Sequence, residues 1–237
     1  MHKGIYIALS GAVLKQRQVD IISQNLANAD TLGYKKDILS FKDYLIPRDI
    51  VSLEPDGRVM GDLSSSVIDF SSGNFIKTGN PFDVAIEGEG FISLEGGRYT
   101  RRGDLKRDSE GYLTTYNGIK VIGKKGPIKL PERKTEISEN GVVSCGGSEI
   151  DTLRVEHFGE AERLLRKEKD GGIFIASGRG TESNAIFKTG YVEKSNVEVV
   201  KEMVRLIESL REFEMFQKAI HFFDEATSKV NNDIGRL

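Results

Sequence analysis

The sequence predicts an α+β protein in which a long amphipathic helix at each end flanks an inserted, antiparallel β-rich domain. Three observations carry this. The 44 residues from Tyr191 to Ile234 contain neither glycine nor proline, in a chain with 26 glycines. Apolar residues near the N-terminus recur at helical spacing. Between the two, patterning switches to short alternating runs punctuated by turn dipeptides.

At the N-terminus, Ile5, Leu9, Ala12, Val19, Ile22 and Leu26 lie at three-, four- and seven-residue steps, which predicts a helix over 3–29. The start superficially resembles a secretory signal, with His2 and Lys3 before an apolar run. Ser10 and Gly11 interrupt that run, and Lys15-Gln16-Arg17-Gln18 follows without a small-x-small cleavage site. The segment is therefore expected to be retained. Asn25-Leu26-Ala27-Asn28-Ala29-Asp30-Thr31-Leu32-Gly33-Tyr34-Lys35 then reads as a helix stop. Its asparagines and aspartate compete for backbone bonds, and Gly33 can take the left-handed conformation.

Residues 36–75 read as an extended arm or linker, because Pro47, Pro55 and Asp56-Gly57 break regularity. A short hairpin is expected around Asp56-Gly57, with Phe41, Tyr44, Leu45 and Ile46 available to dock on a helix.

Residues 76–190 form the β-rich segment. Val84 and Ile86, then Ile92 and Leu94, read as strands around Gly88-Glu89-Gly90. Asn117-Gly118 and Asn140-Gly141 are hairpin signals of the type in which both turn residues take positive φ. Leu153, Val155, Ile173 and Ile175 supply further strand positions, with Asp170-Gly171-Gly172 turning before the last pair.

Residues 191–237 hold the C-terminal helix. Ser195-Asn196-Val197-Glu198 has the S-x-x-E form of a capping box. One apolar stripe runs through Val199, Met203, Leu206, Leu210, Phe213, Phe216, Ile220 and Phe223. It continues weakly through Val230 and Ile234. Beside it lie Val200, Val204, Ile207, Met215, Ala219 and Phe222. An apolar arc this broad wants several neighbours. Some forty helical residues span roughly 60 Å, longer than one ordinary domain needs. Two readings stand, a core helix of one domain or a helix buried by other chains, and length and arc favour the second. The predicted assembly interface is Ile5, Leu9, Val19, Ile22 and Leu26 with Val199, Met203, Leu206, Leu210, Phe213, Ile220 and Phe223. Asn28, Gly33 and Tyr34 form the predicted structural turn.

Composition narrows the function. The 34 basic and 36 acidic residues nearly cancel, so charge points to neither nucleic acid nor an anionic membrane. No apolar run approaches the ~20 residues that span a bilayer. Cys145 is the only cysteine, which removes internal disulfides and cysteine-cluster metal sites and suits a small buried or half-buried residue. The histidines, His2, His157 and His221, are scattered. Gly118 to Lys125 approaches a P-loop, but Lys125 stands where Ser or Thr should hold magnesium. Arg101, Arg102, Lys106 and Arg107, balanced by Asp104 and Asp108, read as a wet strand face or a subunit contact. No nucleophile or zinc motif is present. No catalytic, metal or cofactor residue is assigned, no small-molecule substrate is expected, and an enzyme is disfavoured.

The turn after the first helix is similar to the signature of the bacterial flagellar rod and hook family, an Asn-Leu-Ala-Asn run closing on Thr-x-Gly-Tyr-Lys. Leu32 departs from the proline or asparagine common there. Further blocks resemble the same family: Gly79-Asn80-Pro81-Phe82-Asp83-Val84-Ala85-Ile86-Glu87-Gly88-Glu89-Gly90-Phe91, then Tyr99 to Leu105 with Asp108 to Leu113, and Ser195 to Val200 through Arg211-Glu212-Phe213-Glu214. Val121-Ile122-Gly123 and Gly126 to Pro131 resemble the proximal-rod members, although distal-rod members share most of the pattern.

The resemblance implies a structural subunit of the basal-body rod that transmits torque from motor to hook. Its terminal helices would pair as a coiled-coil-like core, with the β domain outside. Its implied partners are copies of itself, other axial proteins and the flagellar export apparatus, in the periplasm and without a cleaved signal peptide. The contrasting expectation is a β-rich extracellular binding module or enzyme on a helical oligomerisation stalk.

Overall fold

A computed structural model describes residues 2–49, 52–159, 165–168, 171–178, 180–183 and 185–234, and omits the side chains of 2–3, 40–65 and 230–234. The described chain is α+β, with one helix near each end and antiparallel strands between them. It divides into two compact units.

The first unit holds residues 1–27, 37–67 and 198–237. Helix α1 spans His2–Ala27 and α2 spans Val199–Ile234. They pack antiparallel, as three approaches in opposite chain order show. Gly4 meets Phe223, Gly11 meets Phe216, and Lys15 forms an ion pair with Glu212. Small residues make this approach possible, since Ala8 and Ala12 are buried on the same stretch of α1.

Strands β1 (Asp37–Asp49) and β2 (Ser52–Ile68) form a two-stranded ribbon. The expected hairpin at Asp56-Gly57 is not there; both residues lie inside β2. Residues 50–51, between the two strands, fall outside the described residues. In a ribbon every strand has a free edge, so Pro47 and Pro55 can sit in strands without breaking a ladder on both sides. The side chains of Phe41, Tyr44, Leu45 and Ile46 lie outside the described residues.

The second unit holds residues 28–36 and 68–197. Its six-stranded antiparallel sheet runs in the order β13 (Leu165–Lys167), β14 (Ile173–Ala176), β6 (Arg98–Thr100), β5 (Phe91–Leu94), β12 (Val155–His157), β15 (Thr181–Glu182). Strand periodicity puts apolar side chains on both faces. Ile92 and Leu94 join a core with Val84, Leu113, Val121, Leu130 and Phe187. Phe91, Tyr99 and Phe174 join a smaller aromatic core with Phe158, where Phe91 and Phe174 meet edge to face at 5.4 Å.

Strands β9 (Thr135–Ile137), β10 (Val142–Cys145) and β11 (Ser148–Thr152) make a second antiparallel sheet. Cys145 on β10 is half-buried. Both Asn-Gly hairpins form, by a different turn from the one expected. Only Gly118 and Gly141 take positive φ, at 82° and 74°. Gly118 N–H donates to Thr115 O and Gly141 N–H to Ser138 O, each at 2.9 Å. Each glycine therefore occupies a bulge after a β-turn, which leaves Asn117 and Asn140 with ordinary backbones. Gly171 takes φ 70° in the third expected turn, whose Asp170 lies outside the described residues.

Candidate assembly surface and chain junction

In the first unit the helices divide the predicted interface residues into two sets. Ile22 is buried. Ile5, Val19, Leu26, Leu206, Phe213, Ile220 and Phe223 are half-buried. Leu9, Val199, Met203 and Leu210 stay exposed, Leu210 at 41%. The second stripe is largely exposed as well, with Val200 at 77% and Phe222 at 69%, beside Val204, Ile207 and Met215. Tyr6 and Val13 add exposed apolar area on α1. Polar residues occupy buried positions that apolar spacing did not flag. Glu202 and Ser209 are each 2% exposed, and Glu202 accepts from Arg205 Nη1 at 3.0 Å.

The predicted capping box does not form. Ser195 Oγ accepts from Val197 N–H at 3.3 Å, a local turn. Glu198 O accepts from Glu202 N–H at 2.9 Å and so opens the helix. Glu198, not Ser195, is thus the N-cap.

At the other end of α1, Asn25 is 2% exposed and bonds the strand that follows. Its Nδ2 donates to Asp37 O and its Oδ1 accepts from Asp37 N–H, both at 2.9 Å. The side chain thereby behaves like one more strand residue, satisfying both backbone groups.

In the second unit, three chain passages meet: 31–36, 69–73 and 191–196. Gly33 takes φ 65°, and a Cβ there would stand 2.6 Å from Arg102 N. Tyr34 and Lys35 are both 0% exposed. Asn28 O accepts from Thr31 N–H at 3.1 Å within the same turn. Lys35 Nζ donates to Glu193 Oε1 at 2.7 Å and Ser71 O at 2.8 Å, and Gly73 N–H donates to the same Oε1 at 2.9 Å. Burial pushes the Lys35 ammonium below the usual lysine range, while Glu193 partly offsets that.

Asn196 completes the junction. Its Oδ1 accepts from Lys36 N–H at 2.7 Å and its Nδ2 donates to Asp69 O at 2.8 Å. Burial acts to raise the Asp69 carboxyl, but the Ser71 and Lys36 donors outweigh it and hold it below the usual range.

Arg101 corrects the expected wet basic face, being 4% exposed. Its guanidinium donates to Ile86 O and Gly88 O, and Nη1 lies 3.7 Å from Glu193 Oε2. Arg102 forks onto Asp104 at 2.6 and 2.9 Å and stacks on the Tyr116 ring. Lys106 and Arg107 remain exposed. The segment resembling a P-loop holds bridged strand residues with no helix after it. Lys124 in that segment pairs with Glu182 at 2.8 Å. Among the described residues, no three His, Cys, Asp or Glu converge as a metal set, and no helix is long and apolar enough to cross a membrane.

The helices near both ends carry exposed apolar ridges, and the second unit is built of antiparallel strands. Three family models match the chain in order: flagella basal body rod protein over residues 5–35, the flagellar hook protein FlgE/F/G D1 domain over 85–145, and the flagellar basal body rod FlgEFG protein C-terminal region over 188–233. Flagellar basal-body rod protein FlgG of Borreliella burgdorferi is 32% identical over 267 aligned positions, covering 98% of each chain. FlgG of Bacillus subtilis is 28% identical, covering 98% of this chain and 99% of that one. FlgF of Caulobacter vibrioides is 29% identical over the full length of both. This chain belongs to the flagellar basal-body rod protein family, in its FlgF/FlgG branch.

Proposed function

We propose that this chain is a structural subunit of the flagellar basal-body rod whose paired end helices form a coiled-coil-like layer of the axial core. The observation that carries the reading is the exposed apolar ridge on both long helices, from Leu9 and Val13 to Val200, Met203, Ile207, Leu210 and Phe222. Side chains of this kind on a surface this long favour burial by neighbouring subunits. Head-to-tail contacts that do not close into a ring build a helical tube. Copies of this chain and other rod proteins are the partners, and the tube transmits torque from motor to hook. Delivery by the flagellar export apparatus into the periplasm belongs to the same reading.

None of the relatives named above is named as an enzyme, and none lends support to a polymer-binding module on a stalk. The test is to delete the gene in the parent bacterium and restore it with a tagged copy. Restored swimming, with the tagged chain in purified basal bodies, is the expected result. A deletion strain that builds hooks and swims normally contradicts the proposal.

A further inference from the structure

Glu193 and Lys35 are 158 residues apart in sequence and fully buried against each other. Around them the backbone is irregular: 34–36, 69–74 and 194–198 belong to no helix or strand. Backbone outside a ladder needs other partners, and here side chains supply many of them. Glu193 Oε1 ties Lys35 to Gly73, Lys35 Nζ ties Glu193 to Ser71, and Asn196 ties Lys36 to Asp69. Each passage is thus bonded to both of the others.

We propose that Glu193, Lys35 and Asn196 form a latch that locks the chain passage following α1 and the passage preceding α2 to the β unit, so that the passages open and close as one. The inference goes beyond the assembly reading and rests on the second unit alone. A buried pair broken on one side leaves an uncompensated charge, and a network bonded this way fails together. Glu193 and Lys35 are positioning residues here, fixing where the chain leaves and re-enters the β unit.

Hydrogen exchange of the full-length protein, read by mass spectrometry, tests the latch. Glu193→Gln and Lys35→Met should each speed exchange across 31–36, 69–73 and 191–196 together, on the order of a hundredfold. Strand β5 should keep its protection. The double variant Lys35→Met/Glu193→Leu should recover part of the loss, because Lys35 and Glu193 leave together while Arg101 keeps its bonds to Ile86 O and Gly88 O. Acceleration confined to one passage overturns the proposal. So does acceleration spread equally into β5, or a double variant whose effect is the sum of the singles. Asn196→Ala is milder and keeps the question open to test if the charge variants do not fold. It should loosen all three passages about tenfold, and loosening of 191–196 alone contradicts the latch.

Discussion

Gly11 on α1 lies directly against the ring of Phe216 on α2: a Cβ at Gly11 would stand 2.5 Å from Phe216 Cε1. The absence of a side chain at one residue is what admits the ring of the other. Glycine in a helix interior costs about 0.5–1 kcal/mol relative to alanine, so this position trades helix propensity for close approach.

The sign of one substitution should therefore depend on its neighbour. Gly11→Ala alone is expected to destabilise the helix pair by about 1 kcal/mol through the displaced ring. In a Phe216→Ala background the same change should stabilise by about 0.5–1 kcal/mol, since only propensity remains. Thermal unfolding of the four proteins in this cycle provides the measurement. Additive effects would mean that the ring and Gly11 do not compete for space.

Gly33 makes a backbone demand instead. Its φ of 65° and its closeness to the Arg101–Arg102 backbone leave no room for a side chain. Gly33→Ala should cost about 2 kcal/mol or more in urea unfolding of the β unit. Substitution at Gly146, also at positive φ but open on its Cβ side, should cost less.

The turn at Gly33 and the helical periodicity of both ends were legible in the sequence because they are local. So were the strand positions at Val84, Ile86, Ile92 and Leu94. What escaped was long-range. Nothing near Glu193 announces that it will be buried on Lys35, and Arg101 looked solvated because its neighbours Arg102, Asp104 and Lys106 are charged. The Ser195 capping box failed for a related reason. Asn196 is engaged by Lys36 and Asp69, residues distant in sequence, and α2 opens at Glu198 instead. Apolar spacing located the helix faces but not the buried polar residues Glu202 and Ser209.

Asp69 supplies a pH dependence. Its carboxyl is held below the ordinary range, so the folded form binds a proton less readily than the unfolded one. The stabilisation is present above the unfolded carboxylate value and disappears as pH falls through the folded one. Asp69→Asn should cost about 1 kcal/mol at neutral pH. The gap from the parent protein should close on acidification below the usual aspartate range. Urea midpoints across that pH range provide the check. A gap that widens in acid would reverse the sign of the argument.

The proposed assembly role falls most heavily on the exposed ridge of α2, and Leu210→Asp with a tagged chain tests it most directly. Leu210 is 41% exposed in the subunit, so a charge there should change subunit stability by only about 0.5 kcal/mol. Burial in a neighbour's apolar surface would make the same charge costly. The expected result is an unfolding curve for the isolated protein shifted by no more than that small amount, no tagged chain in purified basal bodies, and no swimming. A Leu210→Asp protein that enters the rod in normal amount and restores swimming would contradict it.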